Sequence, residues 1–133
     1  MITKISHVGV VVSDLDESLK FYERVFGLKS ALVKDAMNGR LKVAFIPIGD
    51  DEIELLYPLD SNTSFGKFLK TRGPGIHHIS LATDDIESEV KRMKMNGIAF
   101  TEEKPKVGAH GVKIIFTIAE TTGGVTVELC QES

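Results

Sequence analysis

The chain reads as an α+β protein made of two tandem βαβββ modules, and three features of its sequence carry that reading. A stretch near the amino terminus recurs, without a gap, 71 residues later (His7 to His78). Each copy passes from strand-like alternation into an apolar stripe at helical spacing. Each helix is then followed by three short β-rich runs.

The repeated segment is Ile5-Ser6-His7-Val8-Gly9-Val10-Val11-Val12-Ser13-Asp14-Leu15, which lies over Ile76-His77-His78-Ile79-Ser80-Leu81-Ala82-Thr83-Asp84-Asp85-Ile86. The first helix carries Leu15, Leu19, Tyr22 and Phe26 on one stripe, and the second carries Ile86, Val90 and Met93. Gly27 and Gly97 stand where the helices should stop, while Asp14 with Glu17 and Asp84 with Glu87 offer capping-box starts. Expected strands follow at Ala31–Lys34, Leu41–Ile48 and Glu52–Tyr57, then at Ala99–Thr101, Val112–Ile118 and Val125–Cys130. The join holds a short helix at Ser64–Lys70 and closes on the breaker cluster Gly73-Pro74-Gly75. Module one is thus expected over about residues 1–58, the linker over 59–75 and module two over about 76–133. A half of about 65 residues is marginal alone, so the two should pack as one domain.

Composition narrows the function. The 133 residues include 16 Lys and Arg against 19 Asp and Glu, a net charge of −3, which supplies no basic field for nucleic acid or anionic lipid. Apolar residues make up 42% and charged residues 26%, the balance of a globular domain. The single cysteine, Cys130, has no partner for an intrachain disulfide, which fits a reducing cytoplasm. The apolar runs fall far short of the roughly 20 residues that span a bilayer, and no secretory leader is evident.

The site emerges from alternation along the strands. His7, Gly9 and Val11 share one face of the first strand, with Val8, Val10 and Val12 on the other; His78, Ser80 and Ala82 correspond in the second copy. The last strands of the halves also correspond, Ile53-Glu54-Leu55-Leu56 over Val127-Glu128-Leu129-Cys130. An ionised carboxylate among apolar neighbours is costly unless it is paired, protonated or metal-bound. A lone strand histidine is usually structural, and an edge-strand glutamate usually faces solvent. Two of each at symmetry-equivalent points are far harder to obtain by chance, so His7, Glu54, His78 and Glu128 read as a metal site. His77 is the competing ligand, but it aligns with Ser6 and faces away. A mixed N/O set suits Co, Ni, Mn, Fe or Zn. Such an ion near carboxylates favours proton abstraction next to a carbonyl.

These residues resemble the vicinal oxygen chelate superfamily, which includes glyoxalase I, extradiol dioxygenases and bleomycin-resistance proteins. Within it the chain is most similar to the methylmalonyl-CoA epimerase family. The segments that carry the likeness are Ile53-Glu54-Leu55-Leu56-Tyr57-Pro58-Leu59, Gly75-Ile76-His77-His78-Ile79, Gly108-Ala109-His110-Gly111 and Gly123-Gly124-Val125-Thr126-Val127-Glu128-Leu129. The resemblance covers essentially the whole chain. It implies a cup formed by the two modules, a divalent ion on His7, Glu54, His78 and Glu128, and interconversion of the R and S forms of methylmalonyl-CoA by proton transfer at C2 through a metal-stabilised enolate. Glu128 would be both ligand and base. The second carboxylate of the family falls at Asn38 or Met37, neither of which takes a proton, which leaves His110 or a metal-bound water for the opposite face. The resemblance also implies an acyl-CoA or thiol-conjugate substrate and a homodimer.

Glyoxalase I is the rival, but its glutathione-contacting arginine corresponds to Val11, and its Asn-Trp-Gly segment to Tyr57-Pro58-Leu59. A metal-free small-molecule-binding module is the third reading, and the four-ligand set disfavours it. Lys67, Lys70 and Arg72 read as a solvated helix face. Phe45, Phe65, Phe68 and Phe116 read as core or pocket wall, and Cys130 has no assigned role.

Overall fold

The computed structural model describes residues 1–132 and bears out the α+β class with two βαβββ modules. In chain order the elements are β1 (Ile2–Val11), α1 (Leu15–Phe26), β2 (Leu32–Ala36), β3 (Leu41–Ile48), β4 (Asp51–Pro58), α2 (Ser64–Arg72), β5 (Gly75–Thr83), α3 (Ile86–Met95), β6 (Lys106–Val107), β7 (Lys113–Phe116) and β8 (Val127–Gln131), with a 3-10 turn at Ala119–Thr121. The chain divides into two compact units, one of residues 7–77 and one of residues 1–6 with 78 onward. Among the described residues no helix is long and apolar enough to cross a membrane.

In the unit of residues 7–77 the strand order is β2-β3-β4-β1. β1 runs parallel to β4, and β3 is antiparallel to both β2 and β4. α1 starts where Asp14 accepts a hydrogen bond from the Glu17 amide, and stops where Gly27 turns left-handed at φ 70°. Its apolar stripe covers one sheet face: Leu15, Val12, Ala44, Ile46 and Leu55 form the core, with Val10, Leu19, Tyr22, Ile53 and Tyr57 packed on it. Phe26 departs from the expected stripe. It is 57% exposed and sits edge-on to Phe21 and Tyr22. The four-residue β2–β3 loop passes through Met37, Asn38 and Gly39, all at positive φ, and closes with the Gly39 amide donating to Ala36 O at 3.1 Å.

The second unit repeats the pattern with the order β5-β8-β7-β6. β5 is parallel to β8, and β7 is antiparallel to β8 and β6. Ile86 and Val90 of α3 pack on Ile115 and Leu129, flanked by Leu81, Met93 and Phe100. The cap of α3 is Asp85, which accepts from the Ser88 amide, and not Asp84. Asp85 is the residue that the 71-residue offset places under Asp14, so the repeat extends to the cap. One expected strand is displaced. Ala99–Thr101 makes only an isolated bridge, Phe100 to Thr117, and the ladder strand lies at Lys106–Val107, beyond Pro105. A strand needs a registered partner, and β-prone composition alone does not provide one.

Candidate metal site

Both modules place their glutamate in the same register. Glu54 lies between Gly9 on β1 and Phe45 on β3, and Glu128 lies between Ser80 on β5 and Phe116 on β7. His7 and His78 stand two residues before Gly9 and Ser80, so each histidine shares a strand face with its module's glutamate. That face is the one turned away from the helix and its core.

All four side chains are buried, His7 at 3%, Glu54 at 6%, His78 at 2% and Glu128 at 4% exposure. In the first unit His7 Nδ1 lies 3.3 Å from Glu54 Oε2. In the second, donor atoms of His78 and Glu128 approach within 4.8 Å. Each module therefore presents one imidazole nitrogen and one carboxylate oxygen together, out of bulk water. That donor set fits a divalent transition ion or zinc, since buried carboxylates persist where a cation compensates them.

Sequence reading missed Glu52. It is half-buried, two residues before Glu54 on the same strand face and directly opposite His7, and its carboxylate lies within 4.8 Å of the His7 and Glu54 donor atoms. The alternation that selected Glu54 includes Glu52 as well, but the repeat has no second-module counterpart to draw attention to it.

His110 is exposed, at the tip of the turn that joins β6 to β7. The turn is closed by the Gly111 amide donating to Gly108 O at 3.0 Å and the Gly108 amide donating to Val112 O at 2.9 Å. A Cβ at Gly108 would stand 2.6 Å from Ile114 Cδ1, so a side chain there would require Ile114 to shift. Nearby, burial raises the pKa of Glu132, but hydrogen bonds from Ser6 and Cys130, with the charges of Lys4 and His110, bring it below the ordinary glutamate value.

His77 faces the other way, as the register predicts. Its ring packs 4.6 Å from that of Phe65 and 5.1 Å from that of Phe68, both on α2. Those two phenylalanines are thus the seat of a structural histidine. Cys130 receives a hydrogen bond from Ser80 at 3.4 Å and donates one to Glu132 at 3.3 Å. Burial pushes its thiol up to about 11. At pH 8 only about one molecule in a thousand would carry the thiolate, so Cys130 should resist iodoacetamide in the folded protein and react promptly in denaturant. Fast alkylation of the native state, followed by mass spectrometry, would contradict this placement.

Comparisons with known proteins show the family. The model of the Glyoxalase/Bleomycin resistance protein/Dioxygenase superfamily matches residues 6–116, and the chain belongs to that family. Among curated relatives, mouse mitochondrial methylmalonyl-CoA epimerase is 35% identical over 129 residues, 96% of this chain and 72% of that protein. The ethylmalonyl-CoA/methylmalonyl-CoA epimerase of Cereibacter sphaeroides is 33% identical over 133 residues, covering 98% and 99%. Among solved structures, a variant of Streptomyces coelicolor methylmalonyl-CoA epimerase bound to 2-nitronate-propionyl-CoA matches with a TM-score of 0.95 at 26% identity, covering 100% of this chain and 96% of that one.

Proposed function

We infer that this chain is a metal-dependent epimerase of methylmalonyl-CoA, interconverting the R and S forms by removing the C2 proton and returning it from the opposite face. The observation that carries the reading is the pairing of a buried His/Glu couple in each module with similarity, over nearly the whole chain, to epimerases of that substrate. His7, Glu54, His78 and Glu128 would together hold one divalent ion. When bound, that ion supplies Lewis-acid stabilisation of the negative charge that develops on the substrate carbonyl oxygen.

The remaining work falls to the chain. Glu128, buried and next to an apolar wall, takes the C2 proton on one face. Asn38 has no basic atom to offer on the other, and the return from that face is assigned to His110, on its exposed turn. The same reading includes a cytoplasmic homodimer. The single reduced cysteine suits that compartment, and dimers are common in this fold family.

Metal-loaded protein incubated with methylmalonyl-CoA in deuterated water should exchange the C2 proton and convert a single epimer into a mixture of the two. The hemithioacetal of methylglyoxal and glutathione should turn over poorly, given Val11 and Tyr57-Pro58-Leu59. No C2 exchange, together with hemithioacetal turnover at about 10⁴ M⁻¹s⁻¹ or more, would reverse the assignment.

A further inference from the structure

Phe116 occupies a place that the reaction does not explain. It is directly opposite Glu128 in the β7–β8 ladder, and its ring meets that of His78 edge-on, with centroids 5.0 Å apart and planes at 86°. His78 is almost fully buried, and Phe116 is half-buried. In the first module Phe45, 71 residues earlier, stands directly opposite Glu54 in the β3–β4 ladder and is itself buried. Each glutamate thus has a small residue on one flank, Gly9 or Ser80, and a phenylalanine on the other.

Directly opposed residues on neighbouring strands have Cβ atoms about 4.5–5.5 Å apart, so a phenylalanine there lies against whatever shares the face. An edge-to-face contact is directional: it favours one ring orientation over rotation about χ2. A histidine that must offer one chosen nitrogen gains from such a constraint, in the way that outer-shell hydrogen bonds orient metal-bound imidazoles. No hydrogen-bonding group of Phe116 can serve this purpose. Its ring does so by shape and quadrupole.

We propose that Phe116 is a positioning residue that fixes the His78 imidazole in its ion-binding orientation. This rests on the metal-site reading above, and the experiment separates the two. Wild type, Phe116→Leu and Phe116→Tyr are titrated with Co²⁺, followed by the ion's visible absorption, and the metal-free crystal structures of all three are determined. Wild type and Phe116→Tyr, which keep the ring, should bind with affinities within about twofold of each other and show a single His78 conformer. Phe116→Leu should bind about tenfold more weakly, the lower end of what loss of an outer-shell partner costs, with His78 split between conformers or rotated. Unchanged affinity and an unmoved His78 in a folded Phe116→Leu would overturn the proposal. Should wild type bind no Co²⁺, the metal reading fails by itself, and the His78 conformer in the metal-free crystals still decides the role of Phe116. If Phe116→Leu does not fold, Phe116→Met takes its place in both measurements.

Discussion

His7→Ala and His78→Ala should each raise the dissociation constant for a divalent ion by more than 100-fold, while His77→Ala leaves it within about twofold. Loss of an outer-shell partner typically costs 10–100-fold, and removal of a coordinating imidazole should exceed that. Either substitution also leaves a buried glutamate, Glu54 or Glu128, without its imidazole neighbour. His77→Ala instead removes ring contacts with Phe65 and Phe68, a loss of about 0.5–1.5 kcal/mol per aromatic pair that appears in the melting temperature. Metal analysis of dialysed samples and calorimetric titration check the pattern. If His77→Ala releases the ion and His78→Ala keeps it, the register assignment is wrong.

The fold was legible because the repeat supplied an internal standard. One offset aligned two strands, two helices and the first histidines, and it also held for Phe45 with Phe116 and for the caps Asp14 and Asp85. Where adjacent residues were chemically alike, as with Asp84 and Asp85, composition could not choose between them and the offset could. The displaced strand after α3 had a different cause. Ala99–Thr101 is β-prone, but its pairing is limited to one bridge, and Pro105 removes a donor just before the ladder resumes at Lys106. Helical spacing puts Phe26 on the stripe, but spacing reports a face of the helix and not what the fold lays against each turn of it.

The histidine–glutamate couples were legible for the same reason as the fold, since alternation places them on one face and the repeat duplicates them. Glu52 and the flanking phenylalanines were not. Their significance lies in cross-strand neighbours, and register between β3 and β4 or between β7 and β8 cannot be read from either strand alone. The same limit applies to His110. A glycine-bounded turn marks a histidine as held, without saying what it is held against.

Glu128→Gln should retain measurable ion affinity yet lose at least about 10³-fold in C2 exchange, because an amide oxygen still donates a lone pair to a cation but has no useful basicity. The loss should appear in kcat with little change in KM, as expected for a group that acts on the proton in flight and not on binding. His110→Ala should behave differently. Two groups must serve opposite faces of a planar intermediate, so removing one can leave proton exchange on the other face intact. Epimerisation should therefore fall by about 10²-fold or more while C2 exchange of the epimer deprotonated by Glu128 falls much less, a split seen by following chirality and deuterium in the same reaction. Equal losses in both would show that His110 is not the second group and would turn attention to water or to Glu52, which stands opposite His7 on the first module's site face. Full exchange in Glu128→Gln would remove Glu128 from proton transfer and leave it a ligand alone.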